Sequence, residues 1–541
     1  MIDFDSLAQL HPEIAKLETL GFSVEGRIIL AMKISDNVEI DEPEPEVRIV
    51  GLHHGNEWIS AEIPILLAHY LLDNYGSDPE VTYLVNNREI WIIPMFNPDG
   101  RVHDTRYNAN GIDLNRDYGY MWEGEGGSSM PYSQPETKAM YLFSQKHQFV
   151  LSLSFHSYGE IVNYIWNYSP VEPPESVIIE EYSYGYANFN GYEVTEGYDW
   201  YETRGDLNDY SMGIDSDIDW TIELAEEFVP PASQIDTIWL ENKDAILYII
   251  KKAGQGVGGI IKDSATGNCI TNAHIIIEPY NNWVHFSNPN DGSFFISLLP
   301  GDYTLKIKAD GYAERNISFT VYEDSLTWLG DIYLTRIQTL TPKINGYKFV
   351  WCNTDPYDCM NTYTLSPFAL GEPDGHFLSI ATSTYWGSMI NYTGEVVIKL
   401  SKKIPTNNSM LVVYEGDDGH PNEKFKVYIS DTLFNSWHFL GNGEGTDSFY
   451  LNGVPYDSIL YVRIVNDYSL NNNSYPYGGY DLDAISVIIG AANIKEKYKI
   501  SSPSVSFKIK APSIIKDKTL RFSIISPSDI ATEIKIYSLQ G

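Results

Sequence analysis

Two hydrophobic periodicities divide the chain. Up to about residue 253, short apolar runs rich in β-branched and aromatic residues, at 47–52 (VRIVGL), 89–96 (EIWIIPMF), 149–155 (FVLSLSF) and 219–224 (DWTIEL), alternate with segments of helical spacing. Continuous apolar runs of this length predict buried strands. Residues 61–76 carry apolar side chains at helical intervals and close on Gly76, which suits the position just past a helix end. Ser133, Gln134, Pro135 and Glu136 have the spacing of a capping box with proline in the first turn, predicting a helix through KAMYLF. Strands interleaved with helices predict an α/β layer structure.

Beyond residue 253 the helical pattern stops. A glycine-rich stretch at 254–259 (GQGVGG) marks a boundary. From 258 to about 336, alternating strands such as IIIEP, FFISLL and YTLKIKA are separated by NPNDGS and LPGDY turns, predicting a small antiparallel β-domain. From about 344 to 490 further short strands (EVVIKL, MLVVYEG, KFKVYIS, ILYVRIV) predict a β-sandwich or jelly roll. Strand-rich SFKIK, RFSIIS and EIKIYSLQG close the sequence at Gly541. The expected domains are therefore 1–253, 254–338, 339–492 and 493–541, in keeping with a length of 541 residues that exceeds what one core organises.

Composition narrows the partners. Lys+Arg 36 against Asp+Glu 73 gives a formal charge of −37, which repels nucleic-acid phosphates and anionic membrane surfaces. The longest apolar stretch, 63–72, is broken by Pro64 and His69 and is too short to span a bilayer. No secretory leader is read in the first residues. Three cysteines exclude a disulfide framework and a thiolate zinc site; at most Cys352 and Cys359 pair.

Four polar clusters interrupt the apolar strands. His54 and Glu57, in HHGNE just after the run 47–52, offer an imidazole and a carboxylate three residues apart, a donor set that suits zinc. His156 ends another run and is either a third ligand, brought near because strand C-termini converge in an α/β sheet, or a satisfied core histidine. Arg106, Asp113, Asn115 and Arg116 lie in RYNANGIDLNR; a guanidinium fork beside an amide can grip a carboxylate, or mark a solvated turn. Glu223 places a carboxylate inside an apolar strand, which fits either a general base with a raised pKa or an edge glutamate facing water.

Taken together, GLHHGNEW, FNPDGR, TRYNANGIDLNRD, SQPETKAM, SFHSY and TIEL, in this order, resemble the zinc carboxypeptidase family that includes carboxypeptidases A, B, N and E. The resemblance implies a catalytic domain with a mixed central sheet carrying helices on both faces, followed by all-β sandwich domains. It implies one Zn²⁺ held by His54, Glu57 and His156, with Asp113 orienting the first histidine. It also implies Glu223 as general base, Arg106 on the scissile carbonyl, and Asn115 with Arg116 on the terminal carboxylate. Tyr201, eight residues before Asp209-Tyr210 with Gly205 between, matches the family's mobile substrate-capping tyrosine. By the same register Arg204, Asp206, Leu207 and Asn208 surround the pocket for the substrate's last side chain. Asp206 would favour a basic residue there and Arg204 an acidic one, and the expectation leans to broad or basic preference. Residues 258–336 resemble the transthyretin-like domain of carboxypeptidases N and E, and the third domain resembles carbohydrate- or surface-binding jelly rolls, with EGDDGH and DLD as candidate calcium ligands. The tail resembles bacterial secretion sorting domains without their basic finish, which with the family places the protein outside the cell.

The expected partners are peptide or protein C-termini, with a glycan or cell-surface ligand for the third domain. Two other functions share these residues: a zinc amidase cleaving γ-D-glutamyl-diaminopimelate bonds in cell-wall peptides, and a non-catalytic adhesion protein on a silent enzyme scaffold.

Overall fold

The structure, a computed structural model, describes residues 2–173, 175–280, 283–337, 343–353, 370–371, 378–380, 394–416, 423–434, 436–466 and 480–489, and the short strand pair 513–514 and 520–521. The expected C-terminal segment 493–541 thus lies almost entirely outside the described residues, as does Cys359.

Eight strands build the first sheet: β1 (Ala15–Phe22), β2 (Ile28–Ile34), β3 (Glu46–Gly51), β4 (Glu89–Ile93), β5 (Phe149–His156), β6 (Ile161–Tyr164), β7 (Glu193–Glu196) and β8 (Ile218–Glu223). Their order is β1-β2-β4-β3-β5-β8-β6-β7. The central strands β4, β3, β5 and β8 run parallel, and β2 and β6 pair antiparallel on either side, so the sheet is mixed. β3, β5 and β8 are buried along their whole length, which is why their sequences are continuous apolar runs rather than alternating ones. Helices Ile59–Asn74, Ser176–Asn190 and Ile235–Lys252 pack around this sheet. The α/β class read from the sequence is the class observed.

Of two local expectations, the first holds and the second differs in detail. The helix after β3 ends at Asn74 with Gly76 at φ +78°, the left-handed turn that glycine permits. The helix Pro135–Ser144 begins as expected, but no capping box forms. Asp117 takes the Ser133 hydroxyl (2.9 Å) and the Gln134 N–H (3.1 Å), and Glu136 accepts from Val24 N–H and the Asn108 amide instead. A buried carboxylate thus outcompetes the local cap.

Beneath the strand ends, Arg48 of β3 is fully buried between Asp217 and Asp219, each 3.0 Å away, and also donates to Ser144 and Ser211. Burial raises both carboxyls, to about 7 and about 6, against the pull of the guanidinium. Arg48→Met would leave these acids without their counter-charge. Such a loss costs about 3–5 kcal/mol and is expected as a clearly lower urea midpoint for the full chain.

After the helix Ile235–Lys252, strands resume at Gly256 and form a three-stranded and a four-stranded sheet around their own core, which includes Val257, Ile275, Phe294, Leu305 and Ile332. In the third domain the strand Lys343–Asn353 turns a corner at Gly346: its first residues pair with Tyr480–Ile489 and its later ones with Glu395–Pro405. A Cβ on Gly346 would lie 2.9 Å from Ile398 and 3.1 Å from Ile485, so the two halves of that sheet close on the bend. The buried side chains of this domain are continuous with the core of the first sheet, whereas most of those of the second domain form a separate cluster, with Trp283 and Phe295 joining the first core.

Candidate metal and substrate site

His54 follows β3, His156 ends β5 and Glu223 ends β8, three adjacent parallel strands whose C-terminal ends meet in one crevice. The loop after β3 is held in a sharp path. Leu52 is at φ 62° with its N–H on Ser60, and Asn97 donates to the His53 carbonyl at 3.0 Å. Gly55 passes so close to Gly100 that a Cβ would sit 2.0 Å from its carbonyl carbon, so only glycine fits.

This path brings His54 Nδ1 to 2.6 Å from Glu57 Oε1, and His156 Nδ1 to 3.0 Å from Glu57 Oε2. The two Nδ1 atoms are 3.1 Å apart. All three side chains are buried. Two ring nitrogens and a carboxylate converging on one point away from water repel one another unless a cation or a proton stands among them. With no cation, burial opposes charge on His54, but Glu57 and Asp113 outweigh it and lift the ring to about 9. The donor set, two imidazoles and one carboxylate with room for a fourth ligand, is that of a catalytic zinc centre. Among the described residues the other group able to offer three ligand atoms is Asp36, Glu42 and Glu44, partly exposed and without histidine. No such group lies in the described part of the third domain, so nothing there supports the expected calcium; DDGHPN (417–422) falls outside the described residues.

Asp113 accepts from His54 Nε2 (3.1 Å) and from Arg106 Nε (2.8 Å), so one carboxylate fixes both a ligand ring and the guanidinium. Arg106 is about a third exposed and reaches His54 Nδ1 at 3.2 Å. Glu223 is buried with one oxygen unpartnered. Burial, then the charge of Glu57, raises its carboxyl well above the ordinary range.

A cavity of about 240 Å³ joins these groups to Asn115, Arg116, Tyr201, Asp206 and Asn208. The side-chain oxygen of Asn115 accepts from Leu207 N–H at 3.0 Å, tying the turn Leu114–Arg116 to the pocket wall. Arg116 donates to the Asn115 carbonyl at 2.6 Å. Tyr201 is half-exposed beside Arg116, its phenol raised by burial against that cation's pull. Asp206 caps the short helix Leu207–Tyr210 and accepts from Asp209 N–H, the Asn167 amide and Thr203 Oγ.

Two expected pocket residues stand elsewhere. Arg204 does not line the cavity: Glu123 (3.2 Å), Glu202 (2.7 Å) and the Tyr168 carbonyl hold its guanidinium away, so it offers no charge to a substrate side chain. Leu207 is buried and contributes its N–H to Asn115. His53, neighbour of the ligand, is a core residue that bonds Tyr118 and packs on Phe96. Sequence reasoning missed Asn163, Asn167 and Thr221, which line the same cavity. Thr221 sits two residues from Glu223 on β8, hence on the same face, and that alternation was its signal. The two asparagines interrupt the otherwise apolar and aromatic IVNYIWNY; Asn167 bonds Asn208, which bonds Asn163.

A mixed sheet with a single-cation donor triad at its parallel strand ends defines a mononuclear metal-site α/β domain. Residues 3–245 match the family model described as zinc carboxypeptidase, and this domain belongs to that family. The chain is 30% identical over 377 residues to carboxypeptidase D of Homo sapiens, covering 63% of this chain and 26% of that protein. It is 29% identical over 364 residues to the carboxypeptidase N catalytic chain of Homo sapiens, covering 57% and 79%. The crystal structure of carboxypeptidase A from Helicoverpa armigera is similar at 23% identity and a TM-score of 0.43, over 46% of this chain and 71% of that one. The chain spans about a quarter of the length of the first curated relatives it matches.

Proposed function

We propose that the chain is a zinc-dependent metallocarboxypeptidase, removing single residues from peptide and protein C-termini. One observation carries this reading: Asn115 and Arg116 open into the same cavity as the His54, Glu57 and His156 triad. A carboxylate receptor beside a cation site is what recognition of a free chain end requires.

The buried triad fits zinc and would hold it. When bound, zinc supplies a Lewis acid that polarises the scissile carbonyl and makes water nucleophilic near neutral pH. Arg116 and Asn115 hold the terminal carboxylate, and Tyr201, exposed at the rim, closes over it. Glu223 takes the proton of the attacking water and returns it to the leaving amine; a carboxyl raised by burial is matched to both transfers. Arg106, oriented by Asp113, faces the oxygen on which negative charge develops.

Apart from the metal triad, Arg106, Arg116 and Glu223, Asp206 is the one charged side chain among the described residues lining the cavity, beside the amides of Asn163, Asn167 and Asn208 and the hydroxyl of Thr203. Such a lining receives basic and polar side chains and disfavours acidic ones. Asp206→Asn isolates this charge, because asparagine caps a helix as well as aspartate does. It is expected to lower kcat/KM for peptides ending in Lys or Arg while sparing those ending in Phe. By kinship with its relatives, and with a transthyretin-like second domain, we place the enzyme outside the cell; the glycan or surface ligand of the third domain stands as a proposal from sequence.

The test is to incubate the purified chain with peptides ending in Lys, Arg, Phe and Glu and follow them by mass spectrometry. Stepwise loss of C-terminal residues, fastest for Lys and Arg, stopped by a chelator and restored by zinc, is the expected result. Hydrolysis of D-amino-acid muropeptides alone would make the enzyme a cell-wall amidase, and no hydrolysis an adhesion protein.

A further inference from the structure

The third domain reaches the substrate site through one strand. Immediately after Arg116 the chain bends at Tyr118 and Gly119 and again at Met121, and one flank of this segment is bonded to the pocket: Tyr118 N–H donates to the Gly205 carbonyl at 2.9 Å, next to Asp206. The other flank is closed by the end of Lys343–Asn353. Cys352 N–H donates to the Gly119 carbonyl at 2.9 Å and Met121 N–H to the Cys352 carbonyl at 2.8 Å, a parallel bridge between the two domains. Tyr132 fills the angle beneath: its N–H donates to the Asp117 carbonyl and its hydroxyl to the Val350 carbonyl, at 2.6 and 2.8 Å. A Cβ on Gly119 would lie 2.5 Å from the Tyr132 ring, so strand, ring and segment are in direct contact.

The same strand holds the opposite wall. Lys348 Nζ is 2.5 Å from Asp215, both nearly buried, and Asp215 ends the turn Ser211–Asp215 that continues the helix carrying Asn208. Phe434, from another part of the third domain, packs edge-on against Tyr132 and Tyr141. The shared apolar core of the two domains agrees with this attachment.

We propose that the third domain is a positioning part of the substrate site: the strand Lys343–Asn353 supplies the outer edge that holds Arg116 and the wall bearing Asp206 and Asn208 at a fixed separation. Cys352, Val350 and Lys348 touch no substrate and act through the segments they hold. The idea builds on the carboxypeptidase reading, since it assigns Arg116 to the terminal carboxylate.

The test uses the full chain with Tyr132→Phe, which removes one hydroxyl from the seam, and Phe434→Ala, which removes one packed ring. For a free-acid peptide substrate, KM is expected to rise at least about fivefold, the equivalent of one lost hydrogen bond, with kcat little changed. Inhibition by acetohydroxamic acid, which needs the metal and not the clamp, is expected to be unchanged. Hydrogen exchange read by mass spectrometry should accelerate over residues 114–121 and 205–215 and not over 149–156. Unaltered exchange in both variants, or KM, kcat and hydroxamate inhibition shifting together, overturns the proposal. Accelerated exchange in a chain inactive on peptides would support the brace and remove the carboxypeptidase reading instead.

Discussion

Glu223→Gln is expected to bind zinc as the parent does and to lose turnover by about 10²–10⁴-fold, the usual contribution of a positioned acid–base group. The substitution keeps size, strand position and one oxygen, while removing the group able to take a proton. Glu223 is not among the three side chains whose donor atoms converge, so the metal has no reason to leave. Its buried, unpartnered oxygen shows why the change should not cost stability, since a neutral amide is easier to bury than a carboxylate. Metal content of the purified variant, measured beside its rate on one peptide, separates the two effects. A variant of full activity would remove Glu223 from the mechanism.

His156→Ala is expected to do the opposite, losing metal and activity together. It deletes one of two imidazoles and leaves Glu57, which now bonds both rings, with only His54. Removing an outer-sphere partner of a metal ligand already costs about 10–100-fold in affinity, so loss of a ligand should exceed that. Metal analysis after dialysis against a weak chelator is the measurement. Stoichiometric zinc in this variant would mean that the ion is held elsewhere.

His54, Glu57, His156 and Glu223 stood out as polar residues at or beyond the ends of buried apolar strands, where burial without purpose is expensive, while the roles expected of them came from the family resemblance. Tyr201 was placed by the family resemblance, through its spacing from Asp209-Tyr210. Arg204 was misjudged for a physical reason: a guanidinium in a loop rich in glutamates finds internal partners first, and Glu123 and Glu202 are both near in space. Asp206 reads in sequence as a pocket charge, yet in the fold it also caps a helix, and no local pattern separates the roles. The seam between Gly119 and Cys352 joins residues 233 positions apart through backbone groups, which carry no sequence signature at all.

The most direct trial of the account compares two peptides identical except that one ends in a free carboxylate after lysine and the other in a carboxamide. With zinc present, the free acid is predicted to lose its terminal lysine while the amide persists, because Arg116 has no anion to hold in the second case. Equal cleavage of both would contradict the assignment of the cavity to a chain end.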